Sequence, residues 1–407
     1  MPENGEFSDH HGSHRDLLEK ATGVPLVPHR IDAIFVPTSR PPAYLTEAAN
    51  LSVALDCPLV TLHSGKWTSA REAYLRLPSR VSAGKLDLVA IDVPDAVRLR
   101  QPRLQTASML EGTPFARRSD QSSKRNLALM LARMLGWSRI LFLDDDITEL
   151  VPSDMRRASG LLDTHQAVGL HVGGFPDHSV VCHAYRQSGG EQQEFIGGGA
   201  LVVAARRSTS FFPDIYNEDW FYLLDADGKG LQSVTATGQV RQYPYDPFRN
   251  PDRARSEEFG DVLAEGIYWL LDQGRTITDA GERHWSAFLA KRRNFIKRVI
   301  EMVEMHDFEP GDKRRMVEAL KGSLGRLARI TPEFCEAYLH AWAADRQSWQ
   351  NHVERLPGGK SREQAVHWLT RGASPWLTMG NRPIRSAQDE PVLVKGPADD
   401  ERVLVSG

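Results

Sequence analysis

Short apolar runs alternate with amphipathic stretches through the first part of the chain. Residues 31–41 form an apolar run that ends in turn residues, which predicts a buried strand followed by a loop. Strands that alternate with helices predict a parallel sheet with helices on its faces. The other strands predicted here are 57–65, 86–93 and 140–143, and the predicted helices are 43–54, 69–77 and 122–135.

The second part of the chain adds more strands and then a run of helices. Three glycines at 197–199 lead into an apolar strand, and a helix carrying Glu218 and Asp219 follows. A loop rich in proline and arginine is predicted for 243–255. Lys291, Arg292 and Arg293 are expected on a solvated helix face, although one edge of this patch could reach a nucleotide phosphate. Further strands are predicted at 168–172, 179–185 and 232–239, and further helices at 256–271, 282–305, 311–328 and 332–349.

These patterns predict four segments. Residues 1–22, which include His14, are polar and are expected to form a disordered, solvated tail. Residues 23–285 are predicted to form an α/β domain, and residues 286–384 a helical region. Residues 385–407 are rich in Asp, Pro and Gly and are expected to be a flexible tail.

Composition narrows the class of protein. The chain has 407 residues, of which 41% are apolar and 25% charged, values typical of a soluble globular protein. A net charge of −3 gives no basic footprint for nucleic acid. Neither a transmembrane run nor a secretory signal is found, and the cysteines are scattered, so we expect a cytoplasmic enzyme. A homo-oligomer is compatible with this composition.

Asp144, Asp145 and Asp146 directly follow the predicted strand at 140–143. Neighbouring carboxylates repel one another, so such a strand end requires a cation. Carboxylate oxygens suit Mg²⁺ or Mn²⁺, which proteins usually hold with one or two carboxylates and substrate phosphates. In parallel sheets ligands gather at the carboxyl ends of the strands. The triplet therefore predicts a metal and diphosphate site at that edge.

Several motifs in a fixed order carry a resemblance to a known family. Arg125-Asn126 opens a helix, and after it come G-W-S-R-I-L-F-L-D-D-D, then G-G-G-A-L-V-V-A-A-R-R, then F-F-P-D-I-Y-N-E-D-W. This order resembles the nucleotide-sugar glycosyltransferases of the GT-A fold, and is closest to their large inverting family, family 2. The resemblance covers roughly residues 31–290. It implies a Rossmann-like α/β fold, with a mostly parallel central sheet and flanking helices. The helical C-terminal region is predicted from the apolar pattern alone.

The resemblance also implies roles for residues at the site. Asp146 would coordinate the metal with Asp144, while Asp144 and Asp145 would also touch the ribose or metal-bound water. Asp219 would be the base that deprotonates a hydroxyl acceptor, with Glu218 beside it. His284 would be a late metal ligand. A UDP- or GDP-sugar donor would be held by Pro37, Thr38, Ser39, Arg40, Asp92, Arg125, Gly198 and Gly199.

Alternatives remain open at several of these positions. Arg125 could form an ordinary salt bridge, Asp92 could cap a strand end, and His284 could be a packed histidine. The acids at 218–219 could stabilise a helix N-terminus. The stereochemical outcome is open as well, because certain retaining GT-A enzymes place acids in this region.

Two alternatives concern the whole protein. Asp144-Asp145-Asp146-Ile147-Thr148 fits D-x-D-x-T, the nucleophile motif of haloacid-dehalogenase-like phosphatases, and residues 260–265 resemble that family's later acidic motif. In those enzymes, however, the first motif lies on the first strand, whereas here it follows the fourth. The third possibility is a catalytically inactive binding protein with the same fold.

Overall fold

The computed structural model describes residues 14, 17–19, 27–81, 85–173, 179–191, 196–225 and 230–379. They form an α/β protein around a nine-stranded mixed sheet with strand order β5-β8-β6-β7-β4-β1-β2-β3-β9. The strands are β1 Ala33–Thr38, β2 Leu59–His63, β3 Leu88–Asp92, β4 Arg139–Leu143, β5 Ile147–Thr148, β6 Ala167–Gly173, β7 Ala200–Ala204, β8 Val234–Gln242 and β9 Trp376–Met379. Six strands share one direction, and β5, β7 and β9 oppose them.

Helices cover both faces of the sheet. Successive residues of β1 pack on opposite faces of the sheet. Phe35 lies in the core shared with α4, whereas Ile34 lies in the core shared with α1. This two-residue period explains why both faces of the strand are apolar. The helices are α1 Thr46–Leu55, α2 Ala70–Arg76, α3 Gln105–Leu110, α4 Gln121–Leu135, α5 Pro152–Leu161, α6 Val180–Gln187, α7 Glu218–Leu223, α8 Pro251–Asp272, α9 Glu282–Met305, α10 Pro310–Leu327, α11 Pro332–Glu354 and α12 Arg362–Thr370.

Most predicted elements are confirmed, but the strand predicted at 179–185 is wrong. This segment forms α6 because Ser179 accepts the Cys182 N–H at 3.4 Å and the Val180 N–H donates to Glu257 at 2.8 Å. The helix packs against α8, α9 and α10, so tertiary contacts outweigh the β-branched composition of its first turn. Strand β9, which the sequence pattern did not predict, pairs with β3 at the sheet edge.

The C-terminal helices pack directly on the α/β layer. The predicted boundary at 285/286 falls inside α9, and the same hydrophobic cluster contains Phe142 of β4, Trp285 of α9 and Trp342 of α11. Strand β9 then returns the chain to the sheet. Within the described residues, the C-terminal helices therefore share the hydrophobic core on one face of the sheet.

Two regions differ from the expected solvated surface. Arg292 of α9 is buried, not solvated, and binds Glu258, Asp261 and Glu265 of α8. In the N-terminal segment His14 is fully buried, and the Glu19 N–H donates to the Val234 carbonyl at 2.9 Å. Apart from residues 14 and 17–19, residues 1–22 lie outside the described residues, as do all of 385–407. No helix in the described ranges is long and apolar enough to cross a membrane.

Candidate active site at the carboxyl edge of the sheet

Asp144, Asp145 and Asp146 leave β4 at the carboxyl edge, between β1 and β7. Pairing with the opposed strand β7 fixes the start of this turn, because the Asp144 N–H donates to the Gly199 carbonyl at 2.9 Å. The apolar strand is fully buried up to Leu143, and the chain becomes polar where it leaves the sheet. The triplet thus lies where parallel strands expose their carboxyl ends.

Arginines neutralise the triplet in this structure. The Arg125 guanidinium, buried at the first turns of α4, donates to Asp144 at 3.0 and 3.3 Å and to Glu218 at 2.6 Å. Arg40, after β1, contacts Asp145 at 3.3 Å and Asp146 at 3.1 Å. The requirement for a cation is therefore met here by two side chains of the protein itself.

Thr38 and Lys124 hold the β1 end of the site. The Thr38 hydroxyl donates to Asp145 at 2.5 Å and accepts the Arg40 N–H at 3.1 Å. The ammonium of the buried Lys124 donates to the Thr38 carbonyl at 2.9 Å and to Ser64 at 2.6 Å. Burial lowers the Lys124 pKa and raises that of Asp145, while Arg40 and Thr38 oppose the change at Asp145.

Gly198 and Asp219 form the opposite wall of the site. The Gly198 N–H donates to Asp219 Oδ2 at 2.6 Å, and the Trp220 N–H donates to Oδ1 at 3.0 Å. A side chain at Gly198 would place its Cβ 2.5 Å from Cζ of Arg125, so glycine is required for this close approach. At Gly199 a Cβ would lie 3.3 Å from Asp144.

The Asp219 carboxyl is basic for an aspartate. Burial raises its pKa to about 6, and the neighbouring Glu218 adds to this, while Arg125 and the two backbone donors oppose it. The group therefore still carries its charge above pH 6 and holds a proton more tightly than an ordinary aspartate. Such a carboxylate is suited to accept a proton from a hydroxyl group.

Two cavities open on either side of Ile147. The first, of about 320 Å³, is bordered by Asp144, Glu218 and Asp219, with Arg125 and Arg253 in its wall. The second, of about 510 Å³, is bordered by Arg40, Tyr44, Asp145, Asp146 and Tyr243. The aspartate triplet therefore contributes side chains to both cavities.

The oxygens of Asp144 and Asp146 are of the kind that divalent ions bind. Within the described ranges, no three His, Cys, Asp or Glu side chains converge as a complete metal site. Mg²⁺ bound through one or two carboxylates and substrate phosphates does not need such a group. Asp146 Oδ2 accepts from Arg40 and Gln242, whereas no described residue donates to Oδ1. Asp146 and Asp144 are the residues that would hold the ion.

The remaining predicted residues have mixed positions. His284 is not brought to the triplet: its Nε2 lies 3.0 Å from the Gly266 carbonyl and its ring stacks on Trp269, so it is packed between α8 and α9. Asp92 accepts the Ala70 N–H at 2.6 Å and so fixes the start of α2. Pro37 is buried within β1, and Ser39 is exposed beside Arg40.

Sequence reasoning missed several polar partners. Arg117 contacts Glu218 at 3.1 Å, Gln121 donates to Asp144 at 3.2 Å, and Lys124 anchors the β1 loop. Gln121 lies one residue before the helix predicted at 122–135; had that helix been started at 121, its four-residue spacing from Arg125 would have indicated one shared face. Arg117 lies in a loop, where spacing gives no such signal.

The acids in the later motif of the phosphatase hypothesis are paired with a buried arginine. Asp261 and Glu265 lie inside α8 and bind Arg292 at 2.8 and 2.9 Å.

A scan against protein-family models and a search of curated proteins found no match to this chain. Arguments about function therefore depend on the site itself.

Proposed function

We propose that this protein is a metal-dependent glycosyltransferase with a GT-A fold, which moves a sugar from a nucleotide diphosphate donor to a hydroxyl acceptor. One observation carries the proposal: Asp144 of the triplet and Asp219 border the same cavity, and Arg125 links Asp144 to the neighbouring Glu218. This arrangement supports the proposal because the proposed leaving-group site and the proposed base would lie together at the carboxyl edge of the sheet, where α/β sheets bind ligands.

In the proposed reaction the acceptor hydroxyl lies in the first cavity and donates a hydrogen bond to Asp219. The hydroxyl oxygen forms a bond to the anomeric carbon, its proton passes to Asp219, and the bond from that carbon to the diphosphate oxygen breaks. Attack on the face opposite the diphosphate inverts the anomeric centre. Arg40 holds the Asp145–Asp146 turn where the donor would bind. Mn²⁺ or Mg²⁺, when bound, supplies Lewis-acid stabilisation of the leaving diphosphate.

The first test is a donor screen. We expect calorimetry in the presence of Mn²⁺ to detect binding of uridine diphosphate or guanosine diphosphate. We also expect the protein to release that nucleotide when it is incubated with the corresponding nucleotide-sugar. A chain that binds neither diphosphate would refute the proposal. Binding without turnover, with any acceptor, would instead favour the inactive binding protein.

The second test separates the base from a donor contact. Asp219→Asn should abolish transfer and leave nucleotide affinity near normal, because it removes an interaction made in the transition state. Asp214→Asn is the matched control: burial also raises the Asp214 pKa to about 6, but its side chain does not border either cavity. A large loss of nucleotide affinity in Asp219→Asn would make Asp219 a donor or metal contact.

Phosphate release from aryl phosphates that depends on Asp144 would favour the phosphatase.

A further inference from the structure

His14 lies in the core although the segment around it is polar. Its side chain is fully buried, with ring centroids 4.6 Å from Trp220 and 5.0 Å from Tyr268. Its Nδ1 accepts the Ile196 N–H at 3.2 Å. Burial lowers the His14 pKa to about 3, so the ring is neutral at physiological pH and Nδ1 is an acceptor. Ordinary solvated tails make no such contacts.

The contacts of this ring with Ile196, Trp220 and Tyr268 lead to Asp219. Ile196 directly precedes the glycines, and Gly198 donates to Asp219 Oδ2 at 2.6 Å. Trp220 donates its N–H to Asp219 Oδ1, and the Tyr268 hydroxyl donates to the Trp220 carbonyl at 3.0 Å. His14 therefore contacts both segments that donate hydrogen bonds to the Asp219 carboxylate, the segment 196–198 and Trp220.

The segment that carries His14 is itself attached to the sheet. The Glu19 N–H donates to the Val234 carbonyl at 2.9 Å, and the Thr235 hydroxyl donates to the Glu19 carbonyl at 2.6 Å. Leu17 and Leu18 pack against the core cluster. These hydrogen bonds attach Glu19 to the first residues of β8, five residues after His14 in the chain.

We propose that His14 is a positioning residue for Asp219, and that the N-terminal segment thereby sets the rate of the transfer step. The inference rests on the proposed function of Asp219. His14 has no exposed surface in the cavity, so it acts through the Ile196–Gly198 backbone and through Trp220. Displacing a catalytic group by about 1 Å can reduce a rate about 10²-fold, and loss of the ring's support permits such a displacement.

Two full-length variants test the contacts separately. His14→Phe keeps a ring against Trp220 but removes the acceptor for Ile196, whereas His14→Gln keeps an acceptor. We expect kcat to fall about 10²-fold in His14→Phe and to recover in part in His14→Gln. Nucleotide affinity, measured with UDP or GDP and Mn²⁺, should stay at the wild-type value. His352→Ala, which removes a half-buried histidine of α11, is the control for a general loss of stability.

Two further readouts distinguish positioning from a merely structural role. Asp219 faces Glu218 of α7, Arg125 of α4 and Tyr268 of α8. A weaker Gly198 hydrogen bond would raise the Asp219 pKa, so the acid limb of the rate profile should move to higher pH in His14→Phe. Amide hydrogen exchange of Gly198 should also become faster, and this readout needs no activity.

The outcomes separate the two proposals. A wild-type protein that transfers no sugar refutes the proposed function, while exchange at Gly198 still reports on the His14 contact. Wild-type kcat and an unmoved acid limb in His14→Phe overturn the positioning role. Failure of both variants to fold overturns it too, because His14 would then be a general core residue.

Discussion

Arg292 provides the sharpest stability prediction, because one buried guanidinium faces three buried carboxylates. It contacts Glu258 at 3.0 Å, Asp261 at 2.8 Å and Glu265 at 2.9 Å. One positive charge cannot balance three negative ones, so the folded state favours protonated carboxyl groups here. Burial is the main cause, and it raises the pKa values of Glu258 and Asp261 and that of Glu265 to about 8.

The sign of the pH dependence follows from linkage. The Glu265 pKa is 4.5 for the unfolded reference and about 8 in the fold, so folding takes up a proton. The stabilisation is fully present below pH 4.5 and is lost as pH rises through 8. At about 1.4 kcal/mol per pKa unit, the largest loss is about 5 kcal/mol over this window. Glu265→Gln mimics the protonated acid and should remove this loss.

Urea unfolding at pH 5, 7 and 9 measures the effect. The variant and the wild type should have similar unfolding free energies at pH 5, and the variant should be more stable by several kcal/mol at pH 9. Glu301→Gln, at an exposed position of α9, is the control and should stay within about 0.5 kcal/mol at each pH. If the difference between Glu265→Gln and wild type did not change between pH 5 and 9, the buried-charge argument would be refuted.

Three predictions concern the candidate site. Arg125→Met should lower the unfolding free energy by about 3–5 kcal/mol in urea titrations, because it removes a buried positive charge that Asp144 and Glu218 share. Arg133→Met on the same helix should lower it by less than about 1 kcal/mol. Gly198→Ala should lower the unfolding free energy by about 1–3 kcal/mol and slow the transfer, because the added Cβ would lie 2.5 Å from the Arg125 guanidinium. Gly281→Ala is the control, since a Cβ there would meet nothing within 4 Å. The rate of transfer should fall below pH 6 as Asp219 takes up a proton, and a pH-independent kcat would contradict its role as base.

The strands of the sheet could be predicted where the apolar pattern was strong. Runs such as 33–36 and 140–143 are apolar on both faces, which is the pattern of a strand covered by helices on both sides. Residues 179–185 misled the prediction because a short apolar run does not distinguish a buried strand from a buried helix. Strand β9 gave no signal, since its pairing partner β3 lies far away in sequence.

The sequence placed the acids, Arg40 and Arg125 at one candidate site, but it did not predict that these arginines pair with the acids. Three consecutive aspartates at a strand end are visible in any sequence, and the need for a positive charge follows from electrostatics. That Arg40 and Arg125 occupy those positions depends on the packing of α4 and the β1 loop, which periodicity does not determine. The same limit explains His284, whose packing between α8 and α9 no local pattern records.

The sequence by itself determined an α/β sheet with acids at the carboxyl ends of its strands, because apolar periodicity and charge are local properties. Only the tertiary structure decided that Asp144 and Asp219 share a cavity, that Arg292 is buried and that His14 supports Asp219. Each of these facts joins residues that are distant along the chain. Their contacts are fixed by how whole helices and strands pack, and the packing energy depends on all of them together.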